Sequence, residues 1–121
     1  MKFRGIYTPA ITPLNDDESI DWNGFDTVLE FLIDAGVDGI IIGGTTGEYY
    51  AHSTEERETA LKRAADVVAG RLPLIGGTGA IRTEDSIAFA STAKANGYDA
   101  VMITTPPYAQ PTPHLCCRHH V

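Results

Sequence analysis

The chemistry this chain can offer is concentrated in a few runs of small polar residues. The most promising is Gly43-Gly44-Thr45-Thr46-Gly47-Glu48, which sets two adjacent hydroxyls between glycines. A tight turn of this kind can bring backbone N–H groups and side-chain donors onto one anion, and a carboxylate or phosphate suits such a nest. The glycines permit positive φ and a close approach of a ligand to the main chain. A turn that merely ends a strand would read the same way. The run matches neither GxGxxG nor GxxxxGK[ST], so dinucleotide and P-loop binding are not indicated.

Two further runs have similar character. Gly76-Gly77-Thr78-Gly79 reads as a glycine turn. In Thr104-Thr105-Pro106-Pro107-Tyr108 two prolines stiffen the backbone, and the Tyr108 phenol could serve as a donor or proton relay. A surface tyrosine in a proline-rich loop is the plainer alternative. The tail from Pro113 to Val121, PHLCCRHHV, holds both cysteines and three of the four histidines. Adjacent Cys-Cys and His-His pairs do not have zinc-ligand spacing, so no metal site is expected. The abrupt change of composition after Thr112 suggests a disordered, foreign or frameshifted end.

These runs need a scaffold, and the intervening sequence supplies one. Phe3 to Tyr7 predicts a short strand, broken by Thr8-Pro9 and Thr12-Pro13. Trp22, Phe25, Val28, Leu29, Leu32 and Ile33 form one helical face, with Asp21 as N-cap and Gly36 at the C-terminal end. Gly39-Ile40-Ile41-Ile42 is apolar on both faces, as in a parallel strand covered by helices. Ser53 and Glu56 make a capping box, opening a helix with Ala60, Leu61, Ala64, Ala65 and Val68 along its stripe and Gly70 at its end. Pro73 to Ile75 predicts a third strand. Thr83 then caps a third helix running to Asn96, with Ile87, Ala90 and Ala93 inward, and Ala100 to Thr104 predicts a fourth strand. Ile41, Ile75 and Val101 are expected on the inner face of the sheet.

The pattern Gly-x-Asp-small-β-branched occurs twice where a helix returns to a strand, at 36–40 and at 97–101. Four strands alternating with three helices imply an α/β fold with a parallel sheet. A small doubly wound sheet satisfies the same alternation.

Composition narrows the function classes. The 121 residues are 43% hydrophobic and 21% charged, which is globular composition for one domain. Nine basic against 16 acidic residues give a formal charge of -7, and the pI is near 4.8. No nucleic-acid or membrane partner is expected, since both favour basic patches, and no apolar run has spanning length. The chain reads as soluble and cytoplasmic.

Taken together, Thr8-Pro9, Thr12-Pro13, Gly44-Thr45-Thr46-Gly47-Glu48, Gly77-Thr78-Gly79 and the Thr-Pro-x-Tyr of residues 105–108 resemble the dihydrodipicolinate synthase/N-acetylneuraminate lyase family. The resemblance implies a (β/α)₈ barrel, of which residues 1–112 would form the N-terminal half and residues 113–121 an atypical tail. It also implies a class I lyase or synthase that joins a lysine to a 2-keto acid such as pyruvate as a Schiff base, with no added cofactor. The amides of Thr45 and Thr46, beside Gly47, would hold the keto-acid carboxylate. Thr46 and Tyr108 would form a proton relay, the tyrosine being lent by a neighbouring subunit, so a homo-oligomer is expected. Pro107 stands where the family commonly has a first tyrosine.

The family's Schiff-base lysine lies on the sixth strand. The lysines here are Lys2, Lys62 and Lys94, and none is placed for that role. A complete barrel takes roughly 250 residues, so the chain is expected to be truncated before its nucleophile. The alternative is a non-catalytic half-barrel that binds a small carboxylate or only self-associates.

Overall fold

A computed structural model describes residues 3–105. The element order is β1 (Tyr7–Pro9), α1 (Trp22–Asp34), β2 (Gly39–Ile42), α2 (Thr54–Val68), β3 (Leu74–Gly77), α3 (Thr83–Ala95) and β4 (Ala100–Met102). The four strands form one parallel sheet in the order β1-β2-β3-β4. Each strand pairs with its successor, with no reversal of order. A doubly wound sheet requires such a reversal, so the singly wound arrangement of a (β/α) barrel stands and the alternative falls.

Local chemistry starts and stops the helices. The Asp21 carboxylate accepts from the amides of Asn23 and Gly24 at 3.1 and 2.9 Å, capping α1. Ser53 and Glu56 close the capping box of α2 in both directions, at 3.2 and 2.7 Å. Gly36, Gly70 and Gly97, each at positive φ, follow the helix ends and turn the chain back towards the sheet.

The core lies between the sheet and the helices. Ile40, Ile42 and Leu74 face Phe25, Leu29 and Leu32 of α1, Leu61, Ala64 and Val68 of α2, and Phe89 of α3. Gly76 extends this face, because a Cβ there would lie 3.2–3.4 Å from Ala93, Tyr98 and Leu61. The buried Tyr98 hydroxyl donates to the Leu61 carbonyl at 2.9 Å, and burial pushes its pKa up. Burying each large apolar side chain contributes about 1.5–3 kcal/mol, so this single cluster dominates the stability of the layer.

Several expectations shift. β1 is Tyr7–Pro9 rather than Phe3–Tyr7. Ala10 N–H donates to the Ile41 carbonyl, so the adjacent Pro9 nitrogen points away from β2, where no donor is required. β3 runs one residue later and two further, to Gly77, and β4 ends at Met102. Arg82, not Thr83, occupies the N-cap position of α3, and Thr83 is its first helical residue. Ile87 is 51% exposed, while Ser86, Phe89 and Ala93 turn inward. Finally, Val101 aligns with Gly76 and so lies on the helix-facing side, leaving Ala100 beside Ile75.

Candidate functional site

The loops after all four strands meet at the carboxyl rim of the sheet. After β2, Gly43 takes φ +70°, and Thr45–Gly47 make a single 3₁₀ turn, closed by Glu48 in the left-handed region at φ 54°. A second short turn, Tyr49–Ala51, leads to the α2 cap. Thr45 and Thr46 are exposed and Gly47 is buried. Gly47 N–H donates to Gly44 O and Glu48 N–H to Thr45 O, both at 3.0 Å. The N–H groups of Thr45 and Thr46 have no acceptor among the described residues. Two adjacent main-chain donors on exposed residues therefore lie beyond the end of a buried strand.

Neighbouring loops buttress this turn. From the β1 side, Thr12 Oγ1 donates to Gly47 O at 2.9 Å, and a Cβ at Gly47 would come within 3.0 Å of Ala10 O. His52 Nε2 reaches the same Gly47 carbonyl at 3.1 Å. From the β3 side, Gly43 and Gly77 bring main chain against main chain: a Cβ at Gly77 would stand 2.1 Å from Gly43 O. A Cβ at Gly79 would sit 2.5 Å from Thr104 Oγ1, so the loop after β4 joins the same rim. Thr8 to Thr12, Thr45 and Thr46 thus share one end of the sheet, as a barrel requires. Gly77 is more than a turn residue, because its missing side chain lets the end of β3 touch the loop after β2.

Arg57 is the residue that sequence reasoning overlooked. It rises from the first turns of α2, and its Nη2 donates to Gly79 O at 2.9 Å and Gly77 O at 3.3 Å. Its guanidinium lies 3.9 Å from the Phe89 ring centroid and 4.9 Å from that of Tyr49. Burial lowers its pKa from the usual arginine value, with the neighbouring Tyr49 and Asp85 side chains working in the opposite direction. The side chain bolts the β3 loop to α2. Beside it opens a cleft of about 260 Å³, lined by Tyr49, Tyr50, His52, Asp85 and Thr104 among others. An arginine three residues into an unremarkable helix carries no local signal, since its partners are carbonyls 20 and 22 residues away.

Tyr108 and the tail lie outside the described residues, as does Lys2. Lys62 projects from α2 towards Glu58 at 3.9 Å with a half-exposed side chain, and Lys94 is exposed in the last turn of α3. Neither has a hydrogen bond or ion pair to the rim loops among the described residues. Among the described residues no cluster of three or more His, Cys, Asp or Glu is placed to hold a metal ion, and no helix is long and apolar enough to cross a membrane.

Comparison with known proteins matches the arrangement. Residues 2–121 match the model of the Dihydrodipicolinate synthetase family. The chain is 38% identical over 117 residues to the 4-hydroxy-tetrahydrodipicolinate synthase of Gluconacetobacter diazotrophicus, covering 97% of this chain and 39% of that protein. It is 36% identical over 119 residues to the synthase of the same name from Bacillus subtilis, covering 98% and 41%. Among solved structures, the chloride-inhibited dihydrodipicolinate synthase of Acinetobacter baumannii complexed with pyruvate aligns with a TM-score of 0.92 at 34% identity, over 98% of this chain and 41% of that one. CdNal from Clostridium difficile in complex with mannosamine aligns with a TM-score of 0.95 at 26% identity, over 99% and 42%. The chain spans about two fifths of the length of these relatives.

Proposed function

The chain belongs to the dihydrodipicolinate synthetase family, and from that membership we propose that it builds the carboxylate-binding side of a 2-keto-acid lyase or synthase. The supporting observation is the pair of free amides at Thr45 and Thr46 on the carboxyl rim. Two adjacent main-chain donors suit a carboxylate with its negative charge spread over two oxygens. A relative in complex with pyruvate makes that keto acid the first candidate.

In this reading the Thr45 and Thr46 amides fix the carboxylate and present the adjacent ketone to a lysine. The lysine nitrogen attacks the carbonyl carbon, water leaves, and the protonated imine withdraws electrons from the neighbouring carbon. The Thr46 hydroxyl and Tyr108 pass protons during these steps, with Tyr108 contributed across a homo-oligomer interface. Lys62 and Lys94 stand on the helical layer, so the nucleophile is supplied by neither of them.

Two measurements on the 121-residue chain test this. Titration with pyruvate should shift the amide resonances of Thr45 and Thr46, and an unchanged spectrum would remove the binding role. Borohydride reduction in the presence of pyruvate should leave no adduct on Lys62 or Lys94 by mass spectrometry. A specific adduct on either, with turnover, would overturn the assignment of the nucleophile elsewhere.

A further inference from the structure

We infer that Thr12 and His52 are positioning residues that set the direction of the Thr45 and Thr46 amides by gripping a single peptide carbonyl, that of Gly47. The inference rests on the carboxylate-binding reading and adds to it the side chains that prepare the site.

The Gly47 oxygen accepts from Thr12 Oγ1 at 2.9 Å and from His52 Nε2 at 3.1 Å. A carbonyl oxygen has two lone pairs and no proton, so both contacts are donations to it, and Nε2 carries the hydrogen whether the ring is neutral or charged. The two donors come from different places. Thr12 lies in the loop after β1, 35 residues before Gly47, and His52 directly precedes the N-cap of α2. One donor alone would leave the peptide free to swing about it, whereas two from opposite elements fix its plane.

That plane is linked to both free amides. Each peptide unit is planar, so a carbonyl and the N–H of the following residue turn together. Holding Gly47 O therefore holds Glu48 N–H, which donates to Thr45 O at 3.0 Å. Thr45 O shares its plane with Thr46 N–H, one of the two ligand-facing donors. The preceding peptide, joined to the gripped one through the Gly47 Cα, donates its Gly47 N–H to Gly44 O at 3.0 Å, and Gly44 O shares its plane with Thr45 N–H, the other donor, so the grip reaches Thr45 at one remove. A single 3₁₀ turn of three residues has little rigidity of its own, so the grip on Gly47 supplies it. Preorganised donors gain affinity because their ordering cost is met before the ligand arrives.

The test uses the ¹⁵N-labelled 121-residue chain, with pyruvate as the probe and four single variants. Thr12→Val keeps the branched shape without the hydroxyl, and Thr12→Ser keeps the hydroxyl. His52→Leu removes the ring donor, and His52→Gln keeps an N–H donor. Loss of one net hydrogen bond should weaken pyruvate binding, read at the Thr45 and Thr46 amides, about tenfold in Thr12→Val and in His52→Leu. Thr12→Ser and His52→Gln should stay within about threefold of the unsubstituted chain. Amide exchange at Glu48 should accelerate in the first pair and not in the second. If the unsubstituted chain binds and all four variants bind as well, the positioning role is overturned while the carboxylate reading stands. Equal losses in the conservative and non-conservative variants would assign the effect to side-chain shape and also overturn it. If pyruvate shifts neither amide of the unsubstituted chain, the reading itself falls and takes this inference with it.

Discussion

Asp99 and Leu74 exchange two hydrogen bonds where α3 delivers the chain to β4: Asp99 N–H donates to Leu74 O, and Leu74 N–H to Asp99 Oδ2, both at 3.0 Å. Asp38 and Ile6 repeat the exchange where α1 delivers the chain to β2, at 2.9 and 2.7 Å. In both places the aspartate sits one residue ahead of a strand and satisfies the start of the preceding one. Gly5 makes room for it, since a Cβ there would overlap the Asp38 carboxylate. The corresponding position before β3 is Pro73, which has no N–H, and there its carbonyl accepts from Ile40 instead.

Replacing Asp99 by Ala removes the acceptor while keeping the backbone half of the exchange. The expected loss is about 1 kcal/mol in urea unfolding. Asp99→Asn, whose amide oxygen still accepts, should lose less. Equal losses would show that the acceptor is immaterial.

At the start of α2, Ser53→Ala should cost about 1 kcal/mol of stability. The Glu56 carboxyl is held below the ordinary carboxylate range, first by the Ser53 backbone N–H and then by its hydroxyl. A carboxyl whose folded pKa is depressed stabilises fully above its unfolded value and loses that contribution as pH falls through the folded value. The stability gap between the unsubstituted chain and Glu56→Gln should therefore be present at pH 7 and close below about pH 4. Thermal melts across that range, with a gap that widens in acid, would contradict the capping role.

Arg57→Lys should not be a conservative change. A lysine has no planar fork to serve the Gly77 and Gly79 carbonyls while lying between two rings. We expect roughly 1–3 kcal/mol of destabilisation, the cost of leaving buried acceptors short of a donor. Chemical-shift changes should centre on residues 77–80. A native-like midpoint and spectrum would show that the guanidinium is dispensable.

Two glycines should respond differently to alanine. At Gly36 there is open space and φ +74°, so only left-handed strain of about 1 kcal/mol is added. At Gly77 the new Cβ would collide with the Gly43 main chain at 2.1 Å. Gly77→Ala should exceed the usual overpacking cost of about 1–3 kcal/mol and displace the Thr45–Thr46 turn. Comparable midpoints for the two variants would refute the contact.

Thr46→Val separates the hydroxyl from the amide. Because the proposed carboxylate donors are main-chain groups, pyruvate affinity should change by no more than about threefold. A much larger loss in the titration would move the binding role from the backbone to the side chain.

Features that depend on near neighbours were legible in the sequence. Asp21, Ser53 and Glu56 cap helices two or three residues away, and Ile40 to Ile42 announce a buried strand by composition. The Thr45–Thr46 turn was legible for the same reason. What escaped depends on contacts across the fold. The phase of α3 is set by Phe89 packing under Arg57 rather than by Ile87, and its weak apolar pattern could not decide between them. Thr12, His52 and Arg57 act through carbonyls, which every residue possesses, so no pairing of residue types betrays them.

The meeting of Gly43 and Gly77 has a consequence for how this rim can vary. Where the end of β3 meets the loop after β2, the wall consists of peptide groups alone. A side chain added at Gly77 would run into the Gly43 main chain, so a charge, donor or added bulk cannot enter there without pushing the wall aside. Any change in the side-chain chemistry of this rim must therefore be written into the residues flanking the contact.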